Sequence, residues 1–513
     1  MRFENSVLAR FALMCWMMVF TSTSVTGMVK VYKAPPGVVL STLYSVRIKA
    51  KGASEWLPVE VMSAQVWKRV GANLSNTYPF TAFTGFDCEG QVEVKVRWKG
   101  SEPIQSVKIR PESKNIKYRI IGNEIVLLMD EPAKLSVEIN GDRYQNLQLF
   151  ANPIECEIPD KTDDRILFIP SGTLHTGDIH LKSGQTLYIE GGAAVKGCVY
   201  LDTTVNARVM GRGIIYQPSY DAISVRNARN VIVEGITAVN YGIGNGGGCA
   251  LRCGESSDVT IRNYKVFGRN RWGDGIDIMS SSRVIIDDVY IRSSDDAIAV
   301  YATRGEFQGG CTDVKVLNSV LAPDIAHPIN IGTHGDIKGT GDTIQHLIFK
   351  NIDILQHNEY QSDYQGTMAI SCGDNNTIRN ILFDDIRVED FLLGQLLNIS
   401  VVKLGKYNLT PGRKVENIWF NSIDYKGTTA IASEIKGYSE CRTVRNIQFS
   451  NLRIAGNRIS SLGDGNIQVG EHTAEIYIHP PAGKCDLINF QEHQTRYSTE
   501  FTNLNEFLKH FDP

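Results

Sequence analysis

A short phrase of alternating apolar and polar positions recurs through the middle and C-terminal part of the chain. Its apolar-x-apolar centre occurs eight times, at residues 231–233, 259–261, 284–286, 314–316, 347–349, 381–383, 418–420 and 447–449. Successive copies begin about 25 to 37 residues apart, a period typical of stacked-repeat proteins. The alternation and the many β-branched residues indicate short strands. Because one such coil cannot bury its own apolar side chains, the copies must stack, and the sequence predicts an all-β, right-handed parallel β-helix.

A second strand-like run follows the phrase in several coils, at residues 275–278, 297–300, 329–332 and 368–371. Chemically suggestive side chains stand just before these runs: Asp274 before the first, Asp295 and Asp296 before the second, and His327 before the third. Parallel strands of neighbouring coils lie about 4.8 Å apart, so residues at the same phase converge on one patch of surface. The sequence therefore predicts three carboxylates and an imidazole within reach of one sugar residue.

Acidic groups this close cannot all ionise freely, so at least one carboxyl is expected to have a raised pKa and to stay protonated near neutral pH. Glycoside hydrolysis needs such a division of labour, because one group protonates the leaving oxygen while another activates water. A single Asp beside a turn is more often a turn former, as we expect for Asp287 and Asp288. The common phase of the cluster favours catalysis over that structural role.

Two neighbouring residues are weaker candidates for contacting a substrate. Asp277 lies inside the first strand-like run and is either an outward cleft residue or a hydrogen-bonded structural one. His334 occupies a Gly-Thr-His-Gly-Asp turn after the third run, where a substrate contact and an ordinary surface position are both open.

The motifs around these residues resemble those of the polygalacturonases, family 28 of the glycoside hydrolases. Residues 272–277, Trp-Gly-Asp-Gly-Ile-Asp, are similar to the Asn-Thr-Asp-Gly-x-Asp motif of that family, and residues 294–299 are similar to its Asp-Asp-Cys motif. Residues 326–333 resemble its Gly-His-Gly-Ile-Ser-Ile-Gly-Ser stretch, and residues 169–187 resemble the start of its β-helix. The resemblance covers about residues 160–460.

The resemblance implies a glycosidase that inverts configuration. Asp295 would be the general acid, Asp274 and Asp296 would position and deprotonate the water, and His327 would support the charge and geometry of the cluster. The substrate would be a polysaccharide or oligosaccharide. No cofactor and no metal are expected.

One departure from the family pattern bears on the substrate. The Arg-x-Lys pair that grips a substrate carboxylate is not recognisable at residues 367–371. Arg271, Arg304 and Lys403 are candidate replacements for binding an acidic sugar, and Arg269 and Arg292 are further sources of positive charge in this region. Dextranase-like β-helix enzymes also use three aspartates and carry an N-terminal β-domain, so a neutral α-glucan is an alternative substrate.

The chain divides into three parts. Residues 1–27 combine two arginines with a short apolar stretch and predict a signal peptide, hence a secreted or periplasmic protein with no membrane span after its removal. Residues 28–158 alternate without the coil period and predict a β-sandwich-like domain, which we interpret as a cap on the first coil, with glycan binding as the alternative. Residues 159–513 form the predicted catalytic β-helix, closed by a C-terminal cap that ends in a short amphipathic helix at residues 504–511.

Composition narrows the functional classes. The formal net charge of -3 gives no basic footprint for nucleic acid, so nucleic acid is not an expected partner. Cys249 and Cys253 are near enough in sequence to form a disulfide. Two alternatives to a hydrolase remain. One is a β-helix polysaccharide lyase, which would need a basic proton abstractor and usually calcium, and the other is a non-catalytic glycan-binding β-helix.

Overall fold

The structure, a computed structural model, describes residues 27–70, 75–242, 247–428 and 431–479. The predicted signal segment and the predicted C-terminal helix lie outside the described residues. Within these ranges, no helix has both the length and the apolar character needed to cross a membrane.

The N-terminal region is a sandwich of two sheets, which confirms the predicted β-sandwich. The inner sheet contains the strands Met28–Val31, Met62–Gln65, Phe80–Glu89, Val107–Arg110, Ala133–Ile139 and Leu147–Pro153. The outer sheet contains Tyr44–Ala50, Leu57–Val59, Val92–Trp98, Lys117–Ile121 and Glu124–Met129. A hairpin, Lys68–Val70 with Ser75–Thr77, and a 3-10 turn, Glu112–Lys114, complete the region. Alternate apolar side chains of the two sheets meet in one buried core.

The inner sheet lies along the side of the solenoid, so the interpretation of this region as an end cap is wrong. Its outward phenylalanines pack on aromatic residues of the coils: the rings of Phe83 and Phe267 are 4.8 Å apart, and those of Phe150 and Tyr290 are 5.1 Å apart. A buried ion pair also joins the two parts, with 2.7 Å between Arg110 Nε and a Glu389 carboxylate oxygen. The apolar outward positions of the coils provide a better contact surface than the open first coil does.

The C-terminal part is a parallel solenoid with three faces. The first face consists of Ile166–Ile169, Thr186–Ile189, Arg208–Gly211, Arg229–Glu234, Ser257–Arg262, Ser282–Asp287, Val444–Ser450 and Thr473–His479. The second face consists of Leu174–Thr176, Ala194–Lys196, Ile214–Tyr216, Thr237–Val239, Lys265–Phe267, Tyr290–Arg292 and Arg453–Ile454, with Asn457–Arg458 folding back on the last strand. Four long strands run through both faces: Cys311–Leu321, Thr343–Ile354, Thr377–Val388 and Lys414–Tyr425.

The third face positions the candidate site. Its strands are Ile179–His180, Val199–Tyr200, Ile223–Arg226, Leu251–Gly254, Ile276–Met279, Ile298–Tyr301, Ile329–Gly332, Met368–Cys372, Leu397–Val401, Ser433–Lys436 and Ile467–Val469. A 3-10 turn, Ser362–Tyr364, lies in the connection before one of them. The second strand-like run of the sequence corresponds to four of these strands.

The register confirms the repeat read from the sequence. Val231 pairs with Val259, Val259 with Val284, and Val284 with Val314, and the same column continues through the later copies of the phrase. Inward side chains of all coils form one continuous buried core. The predicted all-β parallel β-helix is therefore confirmed, and each coil contributes one layer of its core.

Candidate active site

A cleft of about 630 Å³ opens where the chain turns from the second face into the third. Its walls come from successive coils, because the same turn recurs in each of them. Asp274, Asp295 and Asp296 all line this cleft. The local turn is tight, since a Cβ at Gly275 would meet the backbone oxygen of Ala297 on the next coil. The close stacking of the coils therefore brings carboxylates from neighbouring turns together.

The register places the sequence-predicted residues side by side. The backbone N–H of Gly275 donates to the oxygen of Asp296 at 2.8 Å, and that of Ala297 donates to the oxygen of His327 at 2.8 Å. Asp274, Asp296 and His327 thus stand at equivalent positions on successive coils. One carboxylate oxygen from each of Asp274, Asp295 and Asp296 lies within 4.8 Å of the others.

Asp296 is held by hydrogen bonds to both of its carboxylate oxygens. Oδ1 accepts from the backbone N–H of His327 at 3.0 Å and from the His327 ring at 2.7 Å. Oδ2 accepts from Asn330 at 2.7 Å and from the Tyr301 hydroxyl at 3.3 Å. Burial alone would raise the pKa of Asp296, but His327 and these hydrogen bonds lower it below its usual value. Asp296 is therefore a fixed, ionised carboxylate.

His327 is fully buried behind Asp296 and has its two ring nitrogens occupied. Nδ1 faces Asp296, and Nε2 lies 2.7 Å from the carbonyl oxygen of Tyr364. Since a carbonyl and a carboxylate both accept, each ring nitrogen carries a hydrogen. Burial disfavours the charged ring, yet the pairing with Asp296 raises the pKa of His327 to about 9. His327 orients the cluster from behind rather than facing the cleft.

Asp274 and Asp295 are half-buried and differ from Asp296 in their protonation. Burial, followed by the charges of Asp277 and Asp295, raises the pKa of Asp274 well above its usual value. Burial, followed by the charges of Asp296 and Glu359, does the same to the pKa of Asp295. The cleft thus combines a permanently ionised carboxylate with two that readily hold a proton.

Asp277 is both buried and directed at the cleft. It is 1% exposed, its Oδ2 accepts from the Cys249 thiol at 3.1 Å, and Arg304 Nη1 lies 3.6 Å from the same oxygen. Its Oδ1 is buried without a hydrogen-bond partner. Cys249 and Cys253, which are near enough in sequence to form a disulfide, are both free thiols. Cys253 lies in the core of the coils, whereas Cys249 contacts Asp277.

His334, Arg304 and Arg271 all line the cleft, where the sequence analysis expects substrate contacts. The Arg304 guanidinium lies 4.4 Å from the ring of Tyr301, and the His334 ring meets the same tyrosine at 5.2 Å. Burial and the charge of Arg304 lower the pKa of His334 to about 3, so the ring is neutral at physiological pH. Arg271 is exposed and stacks on Trp272 at 4.3 Å.

Lys403, a predicted substrate contact, is exposed and does not line the cleft. The chain turns at Gly405, which has a φ of +71°, and brings Lys406 to the cleft instead. Lys406 Nζ is 2.9 Å from the side-chain oxygen of Gln361. Arg269 and Arg292, the further sources of positive charge suggested by the sequence, do not line the cleft either. Arg292 is buried against Asp324, and Arg269 faces Tyr78.

The N-terminal region contributes part of the cleft wall. Trp67 is buried against Ile325 and Ala326, while the Arg69 guanidinium lies 3.3 Å from the ring centre of Tyr360. Trp67 and Arg69 both line the cleft. The sandwich therefore shapes the substrate site as well as packing on the coils.

Several residues of the site are not predicted from the sequence. Arg252 and Asn330 occupy the same outward column of the third face as Asp277, so the alternation of inward and outward residues in these strands indicates the positions of both side chains. Glu359 and Lys406 come from connections without a repeat, and no pattern in the sequence marks them. Glu359 is buried beside the cleft, and burial raises its pKa although the charge of His327 lowers it.

Positive and acidic side chains are balanced in number around the cleft. Its cationic lining residues are Arg69, Arg252, Arg271, Arg304 and Lys406, and its acidic ones are Asp274, Asp277, Asp295, Asp296 and Glu359. Burial and neighbouring carboxyls raise the pKa values of Asp274 and Asp295, which favours the uncharged forms of these two acids.

Among the described residues, two groups of side chains have ligand atoms close enough for a metal ion. They are Cys249 with Asp274 and Asp277, and Asp274 with Asp295 and Asp296. Calcium generally takes 6 to 8 oxygen ligands, about twice the number that either group supplies.

Comparison with known proteins places these residues in a recognised sequence family. The profile of glycosyl hydrolases family 28 matches residues 185–470, more than half of the chain. The chain is 27% identical over 144 residues to the probable endo-xylogalacturonan hydrolase A of Neosartorya fischeri, an alignment covering 26% of this chain and 32% of that protein. It is 24% identical over 206 residues to the exopolygalacturonase of Cochliobolus carbonum, covering 36% and 44%. The matched segments span less than half the length of these relatives.

Among solved structures, Dex49A from Penicillium minioluteum is similar in fold. The superposition has a TM-score of 0.60 at 16% sequence identity and covers 87% of this chain and 96% of that one. The coverage extends beyond the segment matched by the family profile, so the likeness includes the N-terminal region as well as the coils.

Proposed function

The chain belongs to glycosyl hydrolases family 28, and we propose that it is a polysaccharide-cleaving glycoside hydrolase that acts on an acidic, galacturonate-containing polysaccharide with inversion of configuration. The observation that carries this proposal is the carboxyl cluster. Asp295 and Asp296 have carboxylate oxygens within 4.8 Å of each other, and the pKa of Asp295 is raised while that of Asp296 is lowered. Glycoside hydrolysis requires a protonated acid beside an ionised carboxylate.

The roles follow from the surroundings of each carboxyl. Asp295 keeps its proton near neutral pH and donates it to the leaving oxygen. Asp274 and Asp296 together position the attacking water and take its proton, and the lowered pKa of Asp296 keeps one carboxylate of this pair ionised. Asp296 fixes the geometry, and His327 is a positioning residue that holds Asp296 ionised.

Inversion is favoured by the hydrogen bonding of Asp296. Many inverting enzymes have carboxyl groups about 6.5–9.5 Å apart, a longer separation than the closest approach within 4.8 Å in this cluster. A retaining mechanism, however, needs a carboxylate that is free to attack the sugar carbon. Both oxygens of Asp296 are already engaged in hydrogen bonds, which disfavours that role for it.

The charge of the cleft supports an acidic substrate. Ala369 occupies the outward position of the strand Met368–Cys372, where the family pattern leads one to expect a basic residue. Arg304, Lys406 and Arg69 reach the cleft from other elements and supply positive charge there. Arginine forms bidentate, charge-assisted bonds with carboxylates, so a uronate is the sugar best matched to this lining.

Export is part of the proposal, and it rests on the sequence of residues 1–27. A substrate that is a plant-type or microbial polymer lies outside the cell, so a signal peptide suits the activity. The N-terminal sequence of the mature protein, recovered from the medium or periplasm, tests this part directly.

The experiment is a screen of the purified protein against polygalacturonan, rhamnogalacturonan, xylogalacturonan, dextran and other α-glucans. New reducing ends without ultraviolet-absorbing unsaturated products on an acidic polymer are expected, with and without chelator. Hydrolysis of dextran alone would replace the acidic substrate by a neutral one. Unsaturated, chelator-sensitive products would overturn hydrolysis in favour of a lyase.

A further inference from the structure

The outer sheet of the N-terminal sandwich presents an unusual charge pattern to solvent. Its inward side chains, such as Val46 and Val94, fill the sandwich core. The alternate residues point the other way, and the register aligns them across the strands: Arg47 pairs with Lys95, and Lys95 is followed across the sheet by Val126 and then Arg119. Because the inner sheet packs on the solenoid, this outward face lies on the side of the sandwich away from the coils.

Basic side chains dominate that face. They are Arg47, Lys49, Lys51, Lys95, Arg97, Lys117 and Arg119, and the acidic residues among them are Glu93 and Glu124. The whole chain, by contrast, has 53 basic and 56 acidic residues. Glu93 pairs with Lys49 at 2.9 Å and Glu124 with Arg97 at 3.8 Å. Most of the cations therefore remain uncompensated on this face of the described structure.

Aromatic rings lie among the cations. Trp56 has the ammonium of Lys95 at 4.1 Å and that of Lys49 at 5.1 Å from its ring. A groove of about 450 Å³ lies on the same sheet, and its walls include Lys51, Lys117 and Arg119. An aromatic ring beside cations offers both a surface for the apolar face of a sugar and partners for its carboxylate.

We propose that this face, defined by Arg47, Trp56, Lys95, Lys117 and Arg119, is a second binding site for a polyuronate chain. It rests on the proposed function, because an acidic substrate is what makes its charge useful to the enzyme. The repeated carboxylates of such a polymer complement the rows of cations, and its sugar rings complement the ring of Trp56. Holding one stretch of polymer here keeps other stretches near the cleft at a high local concentration.

Binding is tested with full-length Asp295→Asn protein, so that turnover does not consume the polymer. Mobility in native gels containing polygalacturonate is compared for this protein and for a version that also carries Lys95→Glu and Arg119→Glu. A matched control carries Lys182→Glu and Arg453→Glu, two exposed charges on the solenoid. The outer-face variant is expected to lose at least about tenfold in affinity, and the control to lose little, because only the former reverses charges at the site.

Activity separates this inference from the proposed function. With Asp295 intact, the outer-face variant is expected to cleave short acidic oligosaccharides at the wild-type rate but the polymer more slowly. Unchanged polymer affinity in a variant with wild-type circular dichroism would overturn the inference while leaving the hydrolase intact. Tighter binding of duplex DNA than of polygalacturonate would also overturn it, in favour of a nucleic-acid partner. If the wild-type protein fails to hydrolyse acidic polymers, the proposed function fails, and the inference built on it is overturned with it.

Discussion

Replacing His327 by Gln tests the electrostatic design of the candidate site. His327 is fully buried, and its pairing with Asp296 raises its pKa from 6.5 to about 9. A shift of this size corresponds to about 3 kcal/mol of stability gained from the charged ring in the folded protein. Since the folded pKa is raised, this contribution is complete below about pH 6.5 and is lost as pH rises through about 9.

The assay is urea unfolding of the wild-type protein and of His327→Gln at pH 6 and pH 10. The destabilisation caused by the substitution is expected to be largest at pH 6 and to shrink by about 3 kcal/mol at pH 10, because the ring is neutral there in both states. Comparing the two proteins at each pH removes the contributions of other titrating groups. His180→Gln, at an exposed histidine on the same solenoid, is the matched control for replacing a histidine by glutamine.

A direct titration makes the reasoning refutable. In ¹³C-histidine-labelled protein, the ring signal that disappears in His327→Gln should titrate near pH 9 in the wild type. A midpoint at or below 6.5, or a destabilisation that is equal at both pH values, would refute the assignment of a protonated ring between Asp296 and the Tyr364 carbonyl.

Four further outcomes are expected. Asp295→Asn should lower kcat by about 10²–10⁴-fold with an unchanged fold, and Asp287→Asn, at a strand end outside the cleft, should not; equal activity of the two would remove Asp295 as the acid. Glu359→Gln should move the alkaline limb of kcat/KM to lower pH, because the Glu359 charge helps raise the pKa of Asp295; an unmoved limb would contradict this. Arg69→Ala should raise KM about tenfold for acidic but not neutral oligosaccharides, and equal changes for both would argue for a purely structural wall. Proton NMR of the first product should show the anomer opposite to the substrate, whereas retention would require a nucleophile.

The sequence predicts residue contacts best in the strands that follow the coil repeat. A column such as Val231, Val259 and Val284 follows from the alternation alone, because shifting a strand by one residue would turn its apolar side chains outward. The meeting of Asp274 with Asp296 follows from the same repeat, since stacking converts equal phase into proximity. Predictions from the repeat are therefore predictions about contacts as well as about secondary structure.

The rest of the site depends on segments that have no repeat. Glu359 and Lys406 lie in connections between coils, and Arg69 comes from a hairpin far away in sequence. Lys406 lines the cleft and Lys403 does not, and the turn at Gly405 separates these two lysines. The placement of the sandwich along the coils likewise depends on tertiary packing of Phe83 and Phe150, which the pattern of either part alone does not reveal.

The residues of the candidate site come from two parts of the fold, and each part has its own role. The chemistry resides on stacked strands: Asp296 is oriented by His327 and Asn330 from the next coil, so its geometry is as rigid as the stacking of the core beneath it. The lining that meets the substrate comes from connections and from the sandwich, through residues such as Arg69 and Lys406. Substrate preference can therefore change through these segments without disturbing the carboxyl cluster.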